Sequence, residues 1–269
     1  MTPSPIQPKA IPGRLVLVPN TLDLGTGVEV PLDQVLPQAV IVRAAALTHW
    51  VAENARSARA LLKRVQALVP LALPLQAIQI TELPRPRKGA GPGQAALDLA
   101  PLLAPALAGH DLGLVSEAGL PAVADPGAAL VAAAHDAGLV VEPLSGPSSL
   151  LLALAASGLN GQSFAFVGYL PVDAAARAAR IRELDALSRR QGQTQIAIET
   201  PYRNEALLAA LIEHLQPGTR LAVASGLSLP QGRCSSRSVA AWRSSHGSSH
   251  GSIQALGERL PAVFMFLAG

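Results

Sequence analysis

Two short loops of small and cyclic residues constrain this chain more than any other feature. The first reads Ser-Glu-Ala-Gly-Leu-Pro-Ala-Val-Ala-Asp-Pro-Gly over 116–127, the second Ser-Gly-Pro-Ser-Ser over 145–149. Each follows an apolar run and opens a helical pattern. A strand that turns into a helix and then into another buried strand is the repeating unit of a parallel sheet. Backbone N–H groups at helix starts, left accessible by small residues, make a polar pocket. Successive loops at the carboxyl ends of parallel strands share one crevice. The pair therefore describes a cradle for a small polar ligand, with few side chains available for acid–base chemistry.

The alternation extends in both directions. Arg14–Val18 begins a short apolar strand that stops at Pro19. The pattern predicts a helix over 47–69, with Leu61, Leu62, Val65 and Leu68 on one side and Arg56, Arg59 and Lys63 on a charged face. Residues 84–94 form a basic, Gly/Pro-rich loop carrying Arg85, Arg87 and Lys88, followed by a helix over 94–108. Leu112–Val115 reads as the strand that enters the first loop. Asp125 reads as a helix N-cap with Pro126 at the first helical position. Gly138 ends that helix, Leu139–Val141 is the next strand, and the helix after Pro147 stops at Gly158.

Beyond residue 160 the composition shifts. Phe164–Tyr169 and Gln195–Thr200 read as strands around an Arg-rich helix at 177–190, followed by a helix at 204–215. A Ser/Gly-rich stretch covers 225–252, and Ala262–Leu267 reads as a core strand. The expectation is an α/β protein of two α/β domains, 14–145 with a mainly parallel sheet and 146–269 with a mixed one, after a loose tail at 1–13.

Composition and motif spacing exclude several classes of function. Of the 269 residues 49% are hydrophobic, so the chain can bury real cores and disorder is excluded as its overall state. Aromatics make up 3%, which argues against a base-stacking platform. A net charge of +3 leaves nucleic-acid contact to local basic patches. The single cysteine, Cys234, precludes an intramolecular disulfide and a cysteine zinc cluster, and suits a reducing, cytoplasmic setting. The start of the chain is Pro-rich without an apolar signal core, and no run is long and apolar enough to span a membrane, so a soluble protein is expected.

Gly89–Gly93 lacks the Gly-Lys-Ser/Thr ending of a phosphate loop, and Gly-x-Gly-x-x-Gly is absent. His246 and His250 lie in a Ser/Gly repeat, while His49, His110, His135 and His214 are scattered, so no metal is expected. Neither Ser116 nor Ser148 occupies a Gly-x-Ser-x-Gly elbow, which removes the hydrolase reading.

Ser116–Gly127 with Pro143–Ser149 resembles the tetrapyrrole methylase superfamily of S-adenosylmethionine-dependent methyltransferases, and within it the branch of the 16S ribosomal RNA 2′-O-ribose methyltransferases. That branch shows Ser-Asp-Ala-Gly-x-Pro…Asp-Pro-Gly and Pro-x-Pro-Gly-Pro at these places. Val18–Asp23 sits where it has Thr-Pro-Ile-Gly-Asn-Leu, Ala52–Arg56 where it has Ala-Glu-Asp-Thr-Arg, and Glu199–Arg203 where it has Glu-Ser-x-His-Arg. The first loop departs from the pattern, and Asn54-Ala55 replaces Asp-Thr. The chain is most similar to a shorter side branch with Ser-Glu-Ala-Gly, Gly-Pro-Ser-Ser and Glu-Thr-Pro-Tyr-Arg-Asn.

The resemblance implies S-adenosylmethionine held in a cleft between the two domains. Pro19 and Ser116, Glu117, Ala118 and Gly119 would line its methionine side, Ser148 and Ser149 would meet the nucleoside, and Thr200 would close the site. A ribose hydroxyl as acceptor would gain from a base, with Glu53 and Glu199 as candidates and Glu117 a third. Arg56, Arg59, Lys63, Arg85, Arg87 and Lys88 would bind RNA phosphates. The family implies a homodimer. Methylation of a small tetrapyrrole-type molecule, and a non-catalytic cofactor-binding or ribosome-associated role, stay open beside RNA methylation.

Overall fold

The structure, a computed structural model, describes residues 11–23, 26–84, 98–246 and 260–269. Arg85, Arg87, Lys88, the glycine run 89–93, His250 and most of the tail at 1–13 lie outside the described residues. The chain forms two compact units, one comprising the residues up to Thr21 with Pro31–Pro147, the other Leu22–Val30 with Ser148–Gly269.

The first unit runs β1 (Arg14–Leu17), α1 (Leu32–Val35), α2 (Gln38–Ala45), β2 (His49–Ala52), α3 (Ala55–Gln66), β3 (Gln79–Glu82), α4 (Ala104–Leu107), β4 (Leu112–Val115), α5 (Ala128–Asp136) and β5 (Val140–Pro143). Its sheet has the order β3-β2-β4-β1-β5 with every pairing parallel. Helices cover both faces, as a parallel sheet requires. One apolar layer joins Ile41, Ala44, Leu61, Leu62 and Val65 to Val16, Trp50 and Val115. The other joins Leu103, Ala106, Leu130 and Ala134 to Leu15, Val51, Leu112 and Leu114.

Two of the expected helices fail in this unit. The segment 47–69 is not one helix, since β2 occupies 49–52 and α3 begins at Ala55. The reason is two-sided burial: Trp50 and Val51 point into opposite layers, which an extended chain permits. Gly113 of β4 leaves room for the indole, because a Cβ there would stand 2.6 Å from a Trp50 ring carbon. The helix expected over 94–108 is, where described, a 3₁₀ turn at Ala100–Leu103 and the single turn of α4. Pro101 and Pro105 remove the donors a continuous helix would need.

The second unit contains α6 (Ser149–Ser157), β6 (Phe164–Tyr169), α7 (Ala174–Gln191), β7 (Thr194–Glu199), α8 (Asn204–His214), β8 (Arg220–Ser225), β9 (Arg233–Ser238), α9 (Val239–His246) and β10 (Ala262–Leu267). Its sheet, β6-β7-β10-β8-β9, is mixed: β6 and β7 are parallel, and the other pairings antiparallel. α7 starts three residues before the expected helix because Asp173 caps it, accepting from the Ala176 N–H at 2.8 Å. The Ser/Gly-rich stretch holds a strand and a helix. β9 is an edge strand whose ladder to β8 is supplied by backbone, so it needs no apolar side chains.

Candidate active site

The first unit's strand order places a crevice between β1 and β4. The chain leaves β1 toward β2 across the face covered by α2 and α3, and leaves β4 toward β5 through α5 on the opposite face. Neighbouring parallel strands whose connections diverge in this way open a gap at their carboxyl ends, where ligands of α/β sheets bind. The segments that rim this gap are Val18–Thr21 and Ser116–Gly127.

Asn20 joins the two segments. Its backbone pairs with Gly119 in an antiparallel bridge, donating to the Gly119 carbonyl at 2.9 Å and accepting from the Gly119 N–H at 3.2 Å. Its side-chain Nδ2 donates to the carbonyls of Ser116 at 3.2 Å and Glu117 at 3.1 Å, and its Oδ1 accepts from the Thr21 N–H at 2.9 Å. Asn20 is 6% exposed, so these bonds form away from water. Beside it Pro19 lies against Gly146 so closely that a Cβ on Gly146 would stand 2.2 Å from the Pro19 Cβ. The glycine of the second loop is thus a packing requirement of the first.

The loop after β4 is strained. Gly119 adopts φ 67°, and so does Ala122, while Ala124 adopts 64°. For alanine the left-handed region costs roughly 1–2 kcal/mol per residue. Ser116, at its start, is 3% exposed, and its Oγ has no hydrogen-bond partner among the described residues. A buried hydroxyl without a partner costs about 1–3 kcal/mol. Continuing the alternation of β4 puts Ser116 on the side of Leu114, against which Gly127 also packs.

Three carboxylates gather at this loop. Glu53, just past β2, accepts the Glu117 N–H on Oε2 at 3.2 Å. Glu117 Oε1 accepts from Asn54 Nδ2 at 2.9 Å and from Ser57 Oγ at 3.0 Å. Asn54 also caps α3, its Oδ1 accepting from the Arg56 N–H at 2.9 Å. Glu117 is therefore held at the N-terminus of α3 by the residue that caps that helix.

Asp125 corrects the sequence reading. The N-cap of α5 is Gly127, at φ 131°, and no side chain caps that helix. Asp125 stands two residues before the cap and faces the carboxylates instead. Burial first, then the charges of Glu53 and Glu117, push its carboxyl up to about 7.

Arg56, Arg59 and Lys63 point outward from α3 to solvent. Arg64, on the same helix, turns inward and donates to Thr21 Oγ1 at 3.0 Å, fixing α3 to the loop after β1. In the second unit Ser148 occupies the N-cap of α6 without a capping side-chain bond, and Ser149 is the first helical residue. Glu199 ends β7, where its Oε1 accepts from Thr200 N at 2.7 Å, Thr200 Oγ1 at 3.3 Å and Arg203 Nη2 at 2.7 Å. This carboxylate is committed to an ion pair with Arg203.

The structure thus brings Pro19, Ser116, Glu117, Ala118, Gly119 and Glu53 to one crevice of the first unit, while Ser148, Ser149, Glu199 and Thr200 belong to the second. Sequence reasoning missed Asn20, Asn54 and Ser57. Asn directly after an apolar strand, and Asn directly before a helix, are the signals that point to them. Among the described residues no group of three or more His, Cys, Asp or Glu could hold a metal ion. No described helix is long and apolar enough to cross a membrane.

Residues 36–237 match the family model described as Tetrapyrrole (Corrin/Porphyrin) Methylases. A curated relative, Ribosomal RNA small subunit methyltransferase I of Mesorhizobium japonicum, is 42% identical over 114 residues, 42% of this chain and 37% of that protein. The chain spans about a third of the length of the curated relatives it matches. Among solved structures, a conserved hypothetical protein from Aeropyrum pernix K1 superposes with a TM-score of 0.57 at 16% identity, covering 96% of this chain and 85% of that one. Uroporphyrin-III C-methyltransferase from Thermus thermophilus, solved in complex with S-adenyl homocysteine, gives 0.51 at 16% identity, covering 95% and 97%. These two likenesses establish the fold.

Proposed function

This chain belongs to the tetrapyrrole (corrin/porphyrin) methylases, and from that membership we propose that it is an S-adenosylmethionine-dependent methyltransferase acting on RNA, at a ribose 2′-oxygen of small-subunit ribosomal RNA. The observation that carries the reading is the crevice at the carboxyl ends of β1 and β4, rimmed by the Asn20–Gly119 bridge and floored by the unpartnered Ser116 hydroxyl. The name of the Mesorhizobium relative supports the RNA substrate, and the homocysteine complex of the Thermus enzyme supports the cofactor.

The residues of the crevice fit this cofactor. Ser116 Oγ is buried and lacks a partner among the described residues, so a polar ligand group would complete it. Glu53, Glu117 and Asp125 raise negative potential at the same place, where a sulfonium and an α-ammonium bring positive charge. On this reading Pro19 and Ser116–Gly119 line the methionine side, and Ser148, Ser149 and Thr200 serve as further cofactor contacts. When bound, the sulfonium supplies an activated methyl group. The chain's own residues then chiefly position the reactants, an effect worth about 7–11 kcal/mol at best.

Of the two candidate bases, Glu53 is the freer, and Glu199 is held by Arg203. The solvent-facing Arg56, Arg59 and Lys63 serve as phosphate contacts on this reading, and Arg85, Arg87 and Lys88, which lie outside the described residues, are proposed for the same role from the sequence. A cytoplasmic homodimer belongs to the same reading, and sedimentation equilibrium of the purified chain tests the dimer.

Calorimetric titration with S-adenosylmethionine, followed by mass spectrometry of ribosomal RNA from a deletion strain, tests the function. The expected results are cofactor binding that Gly119→Arg abolishes, and one missing ribose methyl that the wild-type gene restores. Unchanged affinity in Gly119→Arg would put the cofactor elsewhere. Methylation of a uroporphyrinogen-type molecule, with ribosomal RNA untouched, would transfer the activity to a small substrate, and cofactor binding with no turnover on either would make the chain a binding protein.

A further inference from the structure

Both tyrosines of the chain stand at one end of the second unit's sheet. β6 and β7 are its only parallel pair, so both strands deliver their following loops to the same edge. Tyr169 ends β6 and lies beside Ile198 of β7 in the register. Tyr202 sits in the 3₁₀ turn Pro201–Arg203, just after β7. Tyr202 is 88% exposed and Tyr169 56%. Phe164 and Phe166, farther back on β6, are 41% and 39% exposed, so the sheet already packs most of each. Low aromatic content argues against a stacking platform while the aromatics are scattered. Here the two most exposed of the chain's phenyl and phenol rings share one edge.

A lone exposed tyrosine is ordinary surface, but Tyr202 is carried on a built turn. The buried carboxylate of Glu199 accepts from Thr200 N, Thr200 Oγ1 and Arg203 Nη2. The Arg203 N–H closes the turn on the Thr200 carbonyl at 2.9 Å, and buried Asn204 donates through Nδ2 to the Leu260 carbonyl at 2.9 Å. On the neighbouring loop, Arg177 Nη1 donates to the carbonyls of Val172 at 3.0 Å and Pro171 at 3.4 Å. Loops ordered in advance lose little entropy when a ligand is gripped. Three of the six buried side-chain polar atoms that lack a partner among the described residues also belong to this edge: Arg177 Nε, Arg203 Nε and Asn204 Oδ1. Charge at the edge is balanced, since Glu199 pairs with Arg203 and Asp173 caps the helix that carries Arg177. The edge therefore suits a flat, uncharged π-surface better than a phosphate.

We propose that Tyr169 and Tyr202 form a stacking face for a base of the single-stranded RNA segment that carries the acceptor ribose. The inference rests on the RNA methyltransferase reading, whose other RNA contacts are cations that hold phosphates and grip no base. Unstacked bases of single-stranded RNA are held on aromatic rings in this way. Tyrosine offers its ring at small entropic cost, because only two torsions need fixing. Every base has a π-face, so the contact gives affinity and position to the strand with little sequence preference.

Filter binding tests the face with three probes: oligoadenylate, the same ribose–phosphate backbone without bases, and small-subunit ribosomal RNA transcribed in vitro. The wild type should bind oligoadenylate more tightly than the base-free backbone. Tyr202→Ala and Tyr169→Ala should each weaken oligoadenylate binding about 5- to 150-fold, the range of one lost base stack, and leave the base-free backbone unaffected. The slope of log affinity against log salt should stay that of the wild type, because no phosphate contact is removed. Tyr202→Phe and Tyr169→Phe should retain the affinity, since each keeps the ring. The unfolding midpoint and the calorimetric affinity of Tyr202→Ala for S-adenosylmethionine should match the wild type, which separates a lost contact from a lost fold.

Equal wild-type affinity for oligoadenylate and the base-free backbone, unchanged oligoadenylate affinity in either alanine variant, or a loss in the phenylalanine variants as large as in alanine would overturn the stacking face. So would alanine variants that turn a dimer into a monomer in sedimentation equilibrium with RNA affinity intact, which would give the surface to a second copy of the chain. Wild-type protein that binds neither ribosomal RNA nor oligoadenylate would overturn the face together with the RNA reading. Methylation of ribosomal RNA by protein whose oligoadenylate affinity ignores the bases would overturn the face alone.

Discussion

Asn20 shows how one polar side chain decides whether a crevice exists. Its amide holds two backbone carbonyls of the neighbouring loop and its own oxygen orders Thr21. Removing it strands buried acceptors, so Asn20→Ala should cost about 1–3 kcal/mol in urea unfolding and weaken cofactor binding in calorimetry. Gly146 is held by sterics alone. A methyl group there has no room beside Pro19, and Gly146→Ala should destabilise by about 1–3 kcal/mol, read from the same unfolding curves. The small residues of the two loops were evident from their types, but the reason for each was not. Pro19 and Gly146 are far apart in the chain, and their contact follows from β1 and β5 being sheet neighbours.

At the scale of elements, α3 does two jobs through its cap. Asn54 satisfies the first turn with its oxygen and anchors Glu117 with its nitrogen. Asn54→Ala should cost ~1 kcal/mol of stability from the cap and remove one of the two side-chain bonds that hold Glu117, seen as a chemical-shift change at its carboxyl carbon. β2 and β9 explain why some elements escape a reading of periodicity. β2 is four residues long and buried on both faces, and its apolar content merges with that of the helix behind it. β9 carries no large apolar side chain and owes its form to the backbone of β8. β6 and β10, by contrast, are legible to the residue, because each is a six-residue run rich in β-branched and aromatic side chains bounded by turn residues.

For the whole molecule, charge is local rather than global. The net charge is +3, yet α3 presents Arg56, Arg59 and Lys63 together on its exposed face. If these contact phosphates, reversing all three to glutamate should weaken RNA binding. It should also flatten the dependence of log affinity on log salt by about 2, at roughly 0.7 per phosphate on a single strand. Filter binding across a salt series measures both. An unchanged slope would place the RNA on another surface.

The α/β character, the two loops and the basic helix face follow from local properties: apolar runs of strand length, glycine and proline at turns, and charges repeating at helical spacing. The strand order that opens the crevice, the pairing of Asn20 with Gly119, and the meeting of Glu53, Glu117 and Asp125 do not. They join segments separated by tens of residues, and such contacts are set by which strands become neighbours when the sheet closes. Asp125 marks the division most sharply. Its neighbours Pro126 and Gly127 are those of a helix start, but the environment that makes it an acid of neutral pH arises first from burial, then from the charge of Glu53, brought in from beyond β2, and that of Glu117 on its own loop.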